Sequence, residues 1–205
     1  MARSKSSNSW LKEHFDDEFV KKSQDSGYRA RSAFKLEEII DKYNVLDGIS
    51  AVVDLGAAPG GWCQVIQKKS PSTEFIIGLD LLPIEPIDGV EFIQGDFTSD
   101  EVYEVLLQRL GSRKIDLVLS DMAPNLSGMN AMDQPRCMLL AEMALEFCQQ
   151  ALQPGGAHVV KLFQGEGFDQ HIQNMRQLFN KVVIYKPKSS RPRSREVFAV
   201  ATGFK

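Results

Sequence analysis

The sequence predicts an α/β fold: an open, mostly parallel sheet with helices on both faces. Three observations carry this reading. Short β-branched runs alternate with helical stretches along most of the 205 residues, the pattern of repeated strand–helix units. Most of these runs are continuously apolar, as strands buried on both faces require, and do not alternate apolar with polar. The last two runs have no helical stretch between them, which makes the final strand an antiparallel return.

Taken in order, the chain opens with helical patterns near 9–24 and 28–42. The first strand, AVVDLG (51–56), runs through a glycine-rich turn into a helix over 61–69. FIIGLD (75–80) and VEFIQGD (90–96) are the next strands, followed by a helix over 100–110. KIDLVLSD (114–121) is the fourth strand, and a helix over 134–152 carries Cys137 and Cys148 on its apolar face. AHVVKLF (157–163), a helix over 168–178, KVVIYKP (181–187) and EVFAVAT (196–202) complete seven strands. No repeat divides the chain, so residues 1–205 form one domain: 1–45 supply N-terminal helices and 46–205 the core.

The composition, 43% hydrophobic and 25% charged, is that of a globular protein. No apolar run approaches the roughly 18 residues of a bilayer span. The N-terminus lacks the apolar core of a secretory signal, and its acids (Glu13, Asp16, Asp17, Glu18) arrive too early for a transit peptide. The expected location is cytoplasmic. Cys63, Cys137 and Cys148 have neither metal-ligand spacing nor an even count, so neither a metal site nor a disulfide framework is expected.

Charge becomes informative once the chain is divided. Residues 41–180 hold nine Lys/Arg against nineteen Asp/Glu, while residues 181–205 hold seven against one. Lys186, Lys188, Arg191, Arg193 and Arg195 crowd just before the last strand. An acidic body with one basic segment points to a polyanionic partner met on one face.

Ligands of open α/β sheets sit outside the carboxyl ends of the strands. Asp54, Asp80, Asp96 and Asp121 all fall at such ends. The first turn reads DLGAAPGGW, from Asp54 to Trp62. It is neither the G-x-G-x-x-G of dinucleotide sites nor a P-loop, and its proline removes a donor that a pyrophosphate would use. A nucleoside without a polyphosphate fits better. Asp80 can accept both ribose hydroxyls, Asp96 an adenine amino group, and Trp62 offers an aromatic wall near Gly60. The set reads as a site for S-adenosyl-L-methionine, with S-adenosyl-L-homocysteine as product.

DLGAAPGGW, LDLLP, QGDF, SDMAPNLSG, VVKLFQGEGFD and SSRPRSREVF, in this order from about Trp10 to Gly203, resemble the FtsJ-type 2′-O-ribose methyltransferases. Within them the likeness is greatest to the bacterial branch acting on large-subunit ribosomal RNA. The resemblance implies a Rossmann-like class I S-adenosylmethionine-dependent methyltransferase with a Lys-Asp-Lys-Glu tetrad at Lys35, Asp121, Lys161 and Glu196. It also implies donor contacts at Gly60, Trp62, Asp80, Asp96 and Asp121. The implied substrate is a uridine in the A-loop of the large-subunit ribosomal RNA, presented in an assembled or nearly assembled large subunit to a monomeric enzyme.

The chemistry needs such residues. A ribose 2′-hydroxyl is a weak acid and a poor nucleophile, so it must be aimed and must lose its proton during attack. Lys161 is expected to act as base or steering cation, oriented by Asp121, with Lys35 and Glu196 placing the ribose. Phosphates are expected to meet Arg29, Arg31, Arg191, Arg193 and Arg195. Two rivals remain, a relative acting on the transfer RNA anticodon loop and an assembly factor working by RNA binding alone. The compact chain speaks against the first and the intact tetrad against the second.

Overall fold

The computed structural model describes residues 17–125 and 127–205; the first half of the helix expected over 9–24 lies outside them. The described helices are α1 (Glu18–Asp25), α2 (Ala33–Tyr43), α3 (Gly61–Lys69), α4 (Asp100–Leu110), α5 (Asn130–Ala151) and α6 (Phe168–Leu178). The strands are β1 (Ala51–Leu55), β2 (Phe75–Asp80), β3 (Glu91–Gln94), β4 (Ile115–Ser120), β5 (Leu152–Phe163), β6 (Phe179–Tyr185) and β7 (Glu196–Phe204). They form one seven-stranded sheet in the order β3-β2-β1-β4-β5-β7-β6. Its neighbours pair in parallel except for β7, which runs antiparallel to both β5 and β6. The Rossmann-like fold expected from the sequence is the one observed.

Alternation along each strand sends successive side chains to opposite faces. Val53, Leu55, Val118 and Val160 pack under α4, α5 and α6, where Leu106, Phe147 and Met175 are buried. Val52, Leu117, Val159 and Phe198 face the other way and are covered by α2 and α3 through Leu36, Ile39, Trp62 and Ile66. The N-terminal segment is therefore part of the main core: α2 closes one face of the sheet and carries Lys35 with it.

Several boundaries differ from expectation, among them α2, which begins at Ala33 where the sequence pointed to 28. Helix α5 starts at Asn130 where the sequence pointed to 134, because Asp133 folds the preceding turn onto the helix by accepting from the Ser127 amide and hydroxyl (both 2.8 Å) and the Gly128 amide (2.9 Å). Strand β5 starts at Leu152, five residues early, and its pairing with β4 is irregular between Ile115 and Leu117. Glycines and a proline in QPGG hide this portion from a reading based on apolar runs. Among the described residues no helix is long and apolar enough to cross a membrane, and no cluster of His, Cys, Asp and Glu could hold a metal ion.

Candidate active site

The carboxyl ends of β1, β2 and β4, with the turn after β3, enclose a cavity of about 520 Å³. Gly56 (φ 80°) brings the first turn against the end of β4 so closely that a Cβ there would lie 2.8 Å from the Met122 amide nitrogen. Asp80 accepts the Ala58 amide on Oδ2 and the Leu82 amide on Oδ1, both at 2.9 Å. Each oxygen keeps a lone pair, which suits a vicinal diol. Asp96 accepts the Thr98 amide (2.9 Å) and hydroxyl (2.7 Å) on Oδ1, and its Oδ2 has no partner among the described residues. Leu81, Leu82, Phe97 and Met122 supply apolar walls. An apolar slot with two carboxylates matches a nucleoside in its donor chemistry.

Asp54 lies deeper. It is fully buried under the turn and receives the Cys63 thiol at 3.3 Å. Burial pushes its carboxyl up to about 7; the thiol bond opposes this, and the charges of Asp121 and Asp80 add to it. Asp54 is thus a floor residue and not one of those lining the cavity.

Two expectations on this side need correction. The Trp62 ring is no cavity wall: it is 3% exposed, tilts against Phe198, and its indole N–H donates to the Ser32 carbonyl at 2.9 Å. Trp62 follows a turn that directs its side chain into the α2–α3 core. Arg29 is not aimed at solvent phosphates. Its guanidinium donates to the carbonyls of Pro59 (3.2 Å), Glu85 (2.6 Å) and Pro86 (2.9 Å), clamping the loop after β2 across the glycine turn. Gly60 (φ 103°) fits beneath this clamp, where a Cβ would lie 3.1 Å from the Arg29 guanidinium and 2.8 Å from Ile87.

Asp121 opens toward a second group of charges. β4 and β5 are parallel neighbours with Ser120 opposite Val160, so Asp121 and Lys161 emerge side by side. The Lys161 ammonium lies 2.9 Å from Asp121 Oδ1 and donates to the Asp121 carbonyl at 2.6 Å. β7 places Glu196 opposite Phe163 and Phe198 opposite Lys161. Lys35, reaching over the Phe198 ring from α2, pairs with Glu196 at 2.6 Å. Burial works to raise the Glu196 carboxyl, but the charge and hydrogen bond of Lys35, with the charge of Lys161, hold it below the usual carboxylate range. The tetrad is therefore two ion pairs, each side chain 10–17% exposed.

Lys35 and Glu196 also line a cavity of about 540 Å³ with Arg31, Arg191 and Arg193. Arg31 donates to Asp17 and to the Ser189 carbonyl. Arg191 lies 3.6 Å from the same Asp17 carboxylate. Arg195 faces a smaller hollow of about 220 Å³ shared with Arg193, Phe163 and Asp133. Arg191, Arg193 and Arg195 each also interact within the protein.

The family model of the FtsJ-like methyltransferases matches residues 28–204, nearly the whole of the described chain. The chain belongs to that family. This FtsJ-like methyltransferase is also similar to a solved structure from Plasmodium falciparum, provisionally described as a ribosomal RNA methyltransferase. The two share 32% identity at a TM-score of 0.77, over 86% of this chain and 98% of the other. Two residues of the methyltransferase went unnoticed in the sequence. Asp133 shapes the turn beside the cavities, and Glu38 accepts from three donors at the end of β6 and just beyond it. Both are single acids in ordinary helical contexts, revealed only by their partners, the preceding turn for Asp133 and residues about 150 positions away for Glu38.

Proposed function

We propose that the protein transfers a methyl group from S-adenosyl-L-methionine to a ribose 2′-hydroxyl of large-subunit ribosomal RNA. The target is the A-loop uridine, in an assembled or assembling large subunit, which would place the chain in the bacterial branch of its family. The observation that carries this reading is that Asp121 serves both sides: it lines the nucleoside-like cavity and pairs with Lys161, beside the basic cavity floored by Lys35 and Glu196. The Plasmodium falciparum neighbour supports ribosomal RNA as the substrate class.

On this reading Asp80 holds the donor's ribose hydroxyls, Asp96 its adenine amino group, and Leu81, Leu82 and Met122 its apolar surfaces. The bound donor supplies an electrophilic methyl on a sulfonium centre. Lys161 aims the acceptor: with an ammonium N–H on the Asp121 carbonyl and the Asp121 carboxylate close by, a further N–H is available to the 2′-oxygen, whose bond to the methyl forms as the sulfonium S–C bond breaks and whose proton passes to water. Such aiming supplies several kcal/mol, up to roughly 7–11 in ideal cases. Lys35 and Glu196, each neutralised by the other, are set to bracket the ribose without repelling the phosphate chain. Arg31, Arg191 and Arg193 meet that chain, giving affinity and position but little sequence information.

Mass-spectrometric mapping of ribose methylation in ribosomal RNA, from cells with and without the gene, tests the proposal. Loss of the methyl group from the A-loop uridine is expected when the gene is deleted; an unchanged uridine overturns the substrate assignment.

A further inference from the structure

We propose that Glu38 is a positioning residue: it clamps the basic connection between β6 and β7 onto α2 and so sets where the acceptor RNA lies over the tetrad. The inference rests on the RNA reading above. Arg31, Lys35 and Glu38, on and just before α2, all reach the same distant segment. Arg31 donates to the Ser189 carbonyl and Lys35 pairs with Glu196. Glu38 Oε2 accepts the Lys188 amide at 2.7 Å and the Tyr185 hydroxyl at 3.2 Å, and its Oε1 accepts the Ser189 amide at 2.9 Å.

Two consecutive amides converging on one carboxylate make a small anion nest, and hydrogen bonds to an ionised acceptor are about twice as strong as neutral ones. Burial tends to raise the Glu38 carboxyl, but these donors outweigh it and hold it below the usual range. The anchor is deep, with Ser189 fully buried and Ser190 5% exposed. At the other end of the connection, β7 pairing fixes Glu196 opposite Phe163. Between these two anchors the chain is braced by short-range contacts, Ser190 N–H to the Pro187 carbonyl, Ser194 N–H to the Arg191 carbonyl, and Lys186 to the Pro192 and Ser194 carbonyls, and by Arg191 beside Asp17 at 3.6 Å. This span carries Arg191 and Arg193 into the basic cavity. Glu38 itself lines neither large cavity, so its influence passes through the span.

The test compares the full-length wild type with Glu38→Ala and with Glu38→Gln, which keeps the length and one acceptor oxygen. Methylation of ribosomal subunits, calorimetric donor binding and limited trypsin digestion are read together. Glu38→Ala should lose about tenfold in kcat/KM for the RNA substrate, through KM, with donor affinity unchanged. Trypsin should cut faster after Lys188 and Arg193, neither of which precedes a proline, and Glu38→Gln should fall between the two proteins. An unchanged RNA KM, unchanged tryptic cleavage in the span, or a parallel loss of donor binding that marks general unfolding would each overturn the proposal. A wild type that methylates no ribosomal RNA would defeat the substrate reading instead, while the tryptic comparison would still report on the clamp.

Discussion

The two sides of the tetrad are built differently. On the donor side the carboxylates come from a strand end or the turn just after it: Asp80, Asp96 and Asp121. On the acceptor side the groups come from α2, from the 186–195 connection and from the start of β7, and they meet only because β7 inserts between β5 and β6. The donor side is a property of the sheet and inherits its rigidity. The acceptor side is a property of one packed junction and depends on a few long-range contacts, Lys35 with Glu196 and Glu38 with residues 188 and 189.

Perturbations should separate the two sides. The largest effect is expected for Lys161→Ala, which removes the group proposed to aim the acceptor. Methyl transfer should fall by about 10²–10⁴-fold while calorimetric donor binding stays near wild type. Near-normal turnover would remove Lys161 from the mechanism.

Asp80→Ala should strike the donor side alone. Losing an ionised acceptor for the donor's hydroxyls is expected to weaken donor binding about 10–100-fold, measured by calorimetry, with RNA retention on a filter assay unchanged. A variant that loses RNA and donor together would contradict the division.

The two sides also shift carboxylates in opposite directions. Asp54 is raised to about 7 by burial, so between its unfolded pKa and about 7 the folded state holds an extra proton, and wild-type stability falls as pH rises through that window. Asp54→Asn removes this dependence. Relative to wild type it should gain about 2–3 kcal/mol in chemical denaturation between pH 5 and pH 8. Glu196 is lowered, so its contribution is present above its unfolded pKa and fades only as pH falls through the lower folded value. A pH-independent difference between Asp54→Asn and wild type would mean that Asp54 titrates normally.

The smallest effect is expected for Arg193→Ala, a few-fold loss of RNA affinity. The slope of log affinity against log salt should shrink by about one, and donor binding should not move. An unaltered slope would take Arg193 off the phosphate path.

How much was legible in the sequence follows the same division. The strands could be read because burial on both faces demands unbroken apolar runs, and β1, β2, β4 and β7 begin within one residue of their expected starts. The donor acids could be read because a parallel sheet places strand ends together. Asp80, Asp96 and Asp121 accordingly share one cavity. Position along the chain could not tell where a side chain points. Trp62 and Arg29 stand in the right neighbourhood, yet one turns into the core and the other clamps a loop. Nor did the basic residues before β7 reveal that their segment is folded, with Ser189 and Ser190 buried against α2.

By itself the sequence determined the α/β architecture and set Asp80, Asp96 and Asp121 at strand ends, since these follow from local periodicity, while the candidate tetrad came from the resemblance of its motifs to the FtsJ-type family. Only the tertiary structure decided that Lys35, Asp121, Lys161 and Glu196 form two ion pairs, that Asp54 lies beneath the cavity, and that Glu38 holds the connection before β7. Those outcomes depend on contacts between residues up to 161 positions apart, as with Lys35 and Glu196, and their formation is set by packing and burial that no local pattern encodes.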